Sequence, residues 1–547
     1  MNESRVDLIK QVHQFNHLKA EGRKLAVLFT PAEGTELLSN SYRHLPRNCN
    51  QALQIGQYAI DFCRNNGGNP ASSVFERTEL FHLDSVACGL SALSWGANAP
   101  TVLRTEALQY PRTDDWGVPC FGSKQRLQPE KAIVANCAAV REWDSNGTNF
   151  GFNPARNATR GEFGHNDFYP VAVAGAQIGQ WDGVQTVRAM ICHDEIRGRL
   201  AEVFGLKDYK IDHVVHGGIA SAAVFGALVG ATAAQIESAI GMLVAHYVPF
   251  RAIRAGHQLS DSKGASAALT SEMAVLSVSR SMNGFVGPAD IFRNPQALFC
   301  LFEPPSTPTE SPFELCLAMD GDDFAIMGMH FKIGLYEHQS AGAIQGLIDL
   351  LQRSPNLHQD LEKIKQIRIR IYEPAFSIIG DPAKRDPRTR QSADHSMIYI
   401  IATVLRKAHQ LATANWLDLM LMPDDYSDAA LHDPLTRRIM DRINFEHGGD
   451  SFDQAYPDGI PTSIEITTHD GQQSSSGMVM YPEGHARRGS DQLRSLLERK
   501  FNNLAGKAVL NYDEFRARFD SLSQQSADAI QQLYDFDIAP ANEPNRS

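Results

Sequence analysis

"FEPPSTPTESPFE", Phe302 to Glu314, is where the texture of the chain changes. Proline, serine and threonine dominate it and no hydrophobic period survives, so it reads as a linker or surface loop. Up to about residue 300, apolar residues recur at helical spacing. "LFHLDSVACGLSALSWG" (80–96) ends at a glycine, as helices commonly do, and "TAAQIESAIGMLVAHY" (232–247) opens on a capping threonine with Gln235 behind it. "DGVQTVRAMICHDEIRGRLAEVFG" (182–205) is similar. Past the linker, "IKQIRIRIY" (364–372) alternates Ile367, Ile369 and Ile371 with Arg368 and Arg370, the pattern of a half-buried strand. "SIEITTHDGQQSSSGMVMYP" (463–482) reads as a hairpin turning at Asp470-Gly471. A helix candidate, "YEHQSAGAIQGLIDLLQ" (336–352), sits among these strands, and from 491 to 536 the pattern returns to amphipathic helix. The expected fold class is mainly α with α+β. Residues 1–322 and 485–547 form one large helical domain, and an α+β lid of residues 323–484 is inserted between them.

The chain has 547 residues, 43% of them hydrophobic, which suits a soluble globular protein with a large core. A net charge of −12 argues against nucleic acid or an anionic membrane as partner, and an anionic ligand would need a local cluster of cations. "GGIASAAVFGALVGATAAQ" (217–235) is uncharged and long enough to span a bilayer, but its alanine and glycine content favours a buried bundle helix. The start of the chain lacks the basic and apolar segments of a secretory signal, and the eight cysteines are scattered without a CxxC pair. Free thiols and a cytoplasmic setting are expected.

Five segments could carry chemistry. "VREWDSNGTNFG" (140–151) and "GEFGHNDFYP" (161–170) bring Asp144, Thr148 and His165 into a glycine- and asparagine-rich stretch between two apolar helices. It can be read as a pocket wall or as a capped surface loop. "DHVVHGG" (212–218) has His213 and His216 three apart, without the further ligands a metal needs, and Asp212 can equally cap a helix. "PFRAIRAGHQLSDSKGASAA" (249–268) gathers Arg251, Arg254, His257 and Lys263. In an acidic protein this is the best local anion site, or else a solvated helix end. "RQSADHSMIY" (390–399) carries Ser392, Asp394, His395 and Tyr399; nothing there resembles a nucleophile elbow, and an elaborate helix cap is the competing reading. "YPEGHARRGSDQ" (481–492) is a basic loop with Arg487 and Arg488.

Taken in order, these segments resemble the MmgE/PrpD family, its PrpD branch most. "HLDSVACGLSAL", "VREWDSNGT", "FGHNDF", the stretch around "DHV", "DSKGASAA" and "GHARR" are collinear with the family's motifs from about Leu80 to Leu504. The resemblance implies a helical domain with an α+β lid, a homodimer, and a site between domain and lid that uses no metal or organic cofactor. It implies lyase or epimerase chemistry on small tricarboxylates and related acids. The foremost activity is dehydration of 2-methylcitrate to 2-methylaconitate, and decarboxylation of cis-aconitate is the alternative. A binding protein that keeps the fold without the activity is the rival from another class. Carried over residue by residue, Asp144, Thr148, His165, Lys263 and Tyr399 match catalytic positions. His213, Arg251, Arg254, His395, Arg487 and Arg488 are expected to bind substrate. His165 would transfer the proton, Asp144 orient it, Lys263 hold carboxylate charge, and Tyr399 reach in from the lid. Three departures stand out: about ten residues inserted at 152–161, Asn-Gly before Thr148, and "YEHQSAGA", which displaces His338 by one position.

Overall fold

The computed structural model describes residues 41–539 apart from 150, 152, 154–160, 163, 255–258 and 380–383. The leader reading of the N-terminus, most of the insertion 152–161, and His257 therefore lie outside the described residues. The core of the helical part is the helix Val214–Leu228, every residue of which is buried. Against it pack the helices Gln51–Cys63, Tyr169–Gly179, Gly183–Val203, Ala233–His246 and Asp261–Met282. Its alanine and glycine side chains are what let so many neighbours approach one axis. The uncharged run that suggested a membrane span is two helices: the first ends at Leu228, and Thr232 then starts the next with a capping box to Gln235. Among the described residues no helix is long and apolar enough to cross a membrane.

The other helical expectations hold with sharper ends. Ser72–Trp95 stops where Gly96 takes φ 76°, and Asp182 caps Gly183–Val203 by accepting from the Gln185 N–H. The C-terminal helix Leu493–Ala508 returns to pack along Ser72–Trp95. The last amphipathic stretch is not one helix: Tyr512–Phe519 ends at Asp520, Ser521 turns at φ 53°, and a short helix Ala527–Gln531 follows. All eight cysteines are free thiols.

The loop at 302–314 leads into strand Leu315–Ala318, which pairs antiparallel with Tyr42–Leu45. Beyond it lies a four-stranded sheet in the order Ile443–His447, Ile364–Ile371, Thr462–Thr468, Gln473–Ser475. The first pair is parallel and the others antiparallel. Ile367, Ile369 and Ile371 point inward while Arg368 and Arg370 sit half-exposed, pairing with Glu446 and Glu465. Gly471, at φ 86°, makes the expected hairpin turn. Helix Ala341–Arg353 covers this sheet and touches helix Met397–Leu411.

Candidate active site

The helix Pro129–Arg141 ends in a turn that places Asp144 at φ 49°, buried with its carboxylate pointing into a cleft. The strand Thr148–Asn149 then pairs with Gly164–His165, setting Thr148 opposite His165. A second bridge runs from Thr148 to His330, whose N–H donates to the Thr148 carbonyl at 2.7 Å. The chain thus folds the two halves of the motif stretch into one wall. Gly164 is required there: at φ 87°, a Cβ would stand 2.3 Å from Cδ2 of the His213 imidazole.

Asp144 is the hub. Arg141 and Lys332 both bond its Oδ1, Lys332 Nζ also donates to its carbonyl at 2.7 Å, and Lys263 Nζ lies 3.2 Å from Oδ2. His395 Nε2 reaches Oδ2 at 2.9 Å while its Nδ1 bonds Asp394, and His165 Nδ1 stands 3.9 Å from Oδ1. Burial raises the Asp144 carboxyl, but Arg141, Lys263 and Lys332 outweigh it and hold it well below the usual carboxylate range. Burial lowers Lys263 against the pull of Asp144 and Asp394, and lowers Lys332 to about 8. His165 is held well below 6.5 by burial and by Arg141 and Lys332, so its ring is neutral at pH 7, and its Nδ1 makes no hydrogen bond.

The cleft, of about 780 Å³ including its open mouth, lies between the helical part and the segment that follows the linker. From the helical side come Arg141, Asp144, Thr148, His165, His213, Arg251, Arg254 and Lys263; from the other, Lys332, Glu337, His338, Ile378, Ile379, Lys384 and His395. Among the described residues six cationic side chains line it against three carboxylates, Asp144, Glu162 and Glu337, an excess of positive charge in an acidic protein. Arg254 pairs with Asp212 at 3.1 Å, and burial brings His213 down to about 4. Arg251 lies 3.9 Å from Glu162, which Lys207 and Arg251 hold at about 2 against burial. Among the described residues no three His, Cys, Asp or Glu side chains are grouped as metal ligands.

Eight of the residues expected from sequence therefore line the cleft: Asp144, Thr148, His165, His213, Arg251, Arg254, Lys263 and His395. Three do not. Tyr399 faces away into the core, where its hydroxyl donates to the Asp425 carbonyl at 2.5 Å and its ring packs on Tyr426. Its helix starts at the Ser396 cap, which turns position 399 inward. Arg487 pairs with Asp458 on a separate cavity, and Arg488 bonds Glu483 at 2.8 Å and the Tyr481 carbonyl at 2.9 Å. The Ser392 hydroxyl bonds with Thr389 and Leu259, not with His395, so the helix-cap reading describes that segment. Three cations of the cleft, Arg141, Lys332 and Lys384, escaped the sequence reading. Arg141 sits three before Asp144 in the quoted motif, at helical spacing for an ion pair. Lys332 is a lone lysine inside the apolar run "MGMHFKIGLY" (327–336), where a charge without a local partner is itself the signal.

A cation-rich cleft with a buried carboxylate hub and a neutral imidazole defines a protein built to hold a small polyanion and move a proton on it. The MmgE/PrpD N-terminal domain matches residues 63–310 and the MmgE/PrpD C-terminal domain residues 337–518, and the chain belongs to this family. Among its relatives is the protein named 2-methylcitrate dehydratase of Escherichia coli K12, 24% identical over 438 residues that cover 77% of this chain and 84% of that protein. The mitochondrial 2-methylcitrate dehydratase of Yarrowia lipolytica is also 24% identical, over 498 residues and 88% of each chain.

Proposed function

We propose that this protein is a hydro-lyase that dehydrates 2-methylcitrate to 2-methylaconitate. The observation that carries the reading is the excess of cations around a cleft whose one wall holds a neutral imidazole with an unbonded ring nitrogen. The named relatives support the choice of substrate. Arg251, Arg254, Lys263 and Lys384 hold the three carboxylates. His165 takes the proton from the carbon beside a carboxylate, and that C–H electron pair becomes the double bond. The C–O bond of the neighbouring carbon breaks, and the hydroxyl leaves as water with a proton from Lys332, whose value of about 8 keeps it charged yet able to donate at neutral pH. Asp144 fixes Lys263, Lys332 and His395 around the reacting carbons and takes no proton itself.

The boundaries at residues 322 and 484, the homodimer and the cytoplasmic setting belong to the same reading. The test is the purified, chelator-treated protein with 2-methylcitrate, followed by the ultraviolet absorbance of the enoate. Turnover is expected, with a loss of about 10²–10⁴ in kcat for H165A. No turnover of 2-methylcitrate or citrate rejects the proposal, and release of carbon dioxide and itaconate from cis-aconitate would assign the decarboxylase activity instead.

A further inference from the structure

Beneath the cleft a third lysine is buried, besides Lys263 and Lys332. Lys500 on helix Leu493–Ala508 is fully inaccessible, and so is Asp84 on helix Ser72–Trp95. Their ion pair measures 2.6 Å. The Lys500 ammonium also donates to the Ser145 carbonyl at 2.6 Å and the Lys332 carbonyl at 2.9 Å, so it stands between one carboxylate and two backbone carbonyls. These two carbonyls are not arbitrary. Ser145 follows Asp144 in the left-handed turn, and Lys332 is the lysine that bonds Asp144 from the opposite side of the cleft. Ser145 Oγ adds a further tie to the Gly334 carbonyl at 2.7 Å.

A buried ammonium shared by two loops fixes their separation more tightly than packing alone, because releasing either carbonyl leaves a buried donor and acceptor unsatisfied. Its own charge is balanced by Asp84, so the pair adds little net field to the cleft. What it sets is position: the Asp144 turn belongs to the helical part, Lys332 to the segment beyond the linker, and the tie is made by the returning C-terminal helix.

We propose that Asp84 and Lys500 are positioning residues for the reaction, a strut that holds the Asp144 turn and the Lys332 backbone in register so that the Lys332 ammonium stays seated on Asp144. This rests on the reading of Lys332 as the proton donor. Loss of the strut lets the two loops part and admits water to Lys332, which then loses the burial that depresses its basicity.

The test is the D84N/K500M variant, which removes the tie without leaving a buried charge unpaired. Folding is checked by circular dichroism. Two readouts follow: steady-state kinetics with 2-methylcitrate, and the pH dependence of reductive methylation of Lys332 by formaldehyde, read by peptide mass spectrometry without substrate. A kcat lowered at least tenfold is expected with KM within about threefold. The midpoint of the Lys332 methylation profile is expected to move to higher pH, toward that of an ordinary lysine. If this variant does not fold, K500R keeps the charge but its planar head cannot meet the same three oxygens, and it should move both readouts in the same direction. A folded variant with wild-type kcat and unmoved methylation overturns the proposal. Failure of the wild type to turn over 2-methylcitrate rejects the substrate reading alone, since the methylation profile reads the strut independently.

Discussion

Replacing Asp144 by Asn removes one charge and leaves the shape of the hub almost intact. Arg141 would keep Asp167 and Lys263 would keep Asp394, but Lys332 would lose the carboxylate it bonds and face the other two cations. Asp144 acts to raise the lysine values, so its removal lowers them further. Unit charges about 4 Å apart interact by roughly 4 kcal/mol at an effective dielectric constant of 20, and one pKa unit corresponds to about 1.4 kcal/mol. The substitution should therefore lower Lys332 by about 2–3 units, from about 8 to below neutral, and turn it from ammonium to amine at pH 7. Dehydration then loses its acid, and kcat should fall by about 10²–10⁴. Binding changes little: the positive charge lost at Lys332 offsets the negative charge removed at position 144, so the net charge facing a trianion is unchanged and KM should stay about level. Initial rates of D144N over a range of 2-methylcitrate concentrations at pH 7 separate the two. A raised KM with unchanged kcat would refute the reasoning, because it would make Asp144 a substrate contact and not the organiser of the cations.

Two further substitutions check the geometry from either side. Y399F should keep kcat within about threefold and cost about 1 kcal/mol of stability, the worth of its bond to Asp425, read by kinetics and thermal melts; a hundredfold loss of kcat would return Tyr399 to the chemistry. G164A forces a Cβ against the His213 ring from a left-handed backbone position, and should lower the melting temperature and kcat together, whereas an Ala at Gly230, also left-handed but with nothing within 4 Å, should spare kcat.

Much of this architecture was legible because it is local. Thr232 with Gln235, Gly96, the Ile/Arg alternation at 367–371 and Asp470-Gly471 each fix a cap, strand or turn through neighbours within a few residues. The cleft is not local. Lys332 reaches Asp144 across 188 residues, Lys263 across 119, and no spacing rule connects them. The family motifs supplied part of that link, since they mark positions that converge without saying how. Tyr399 shows where this stops: the motif gave the position, but the Ser396 cap set the helix phase and turned the hydroxyl toward Asp425. Arg487 and Arg488 were misplaced for a related reason, because acidic partners at Asp458 and Glu483, distant or hidden within the loop, claim them.

The cations also explain why a neutral imidazole is placed where a base is needed. In the empty cleft, burial together with Arg141 and Lys332 keeps His165 unprotonated but also makes it a weak base. A bound trianion reverses the sign of that environment. Its carboxylates would stand among the same cations, offset their repulsion, and raise both His165 and Lys332. For His165 the deprotonated form is the active one, so activity is lost as pH falls through its value. For Lys332 the protonated form is active, so activity is lost as pH rises through its value. The profile of kcat/KM, which reports the free enzyme, should thus have an acid limb well below the ordinary histidine range and a basic limb near pH 8. The profile of kcat, which reports the complex, should have both limbs displaced upward. Limbs that coincide in the two profiles would mean that the substrate carboxylates do not lie beside these groups. The cation excess would then serve attraction of the substrate and not the tuning of its base.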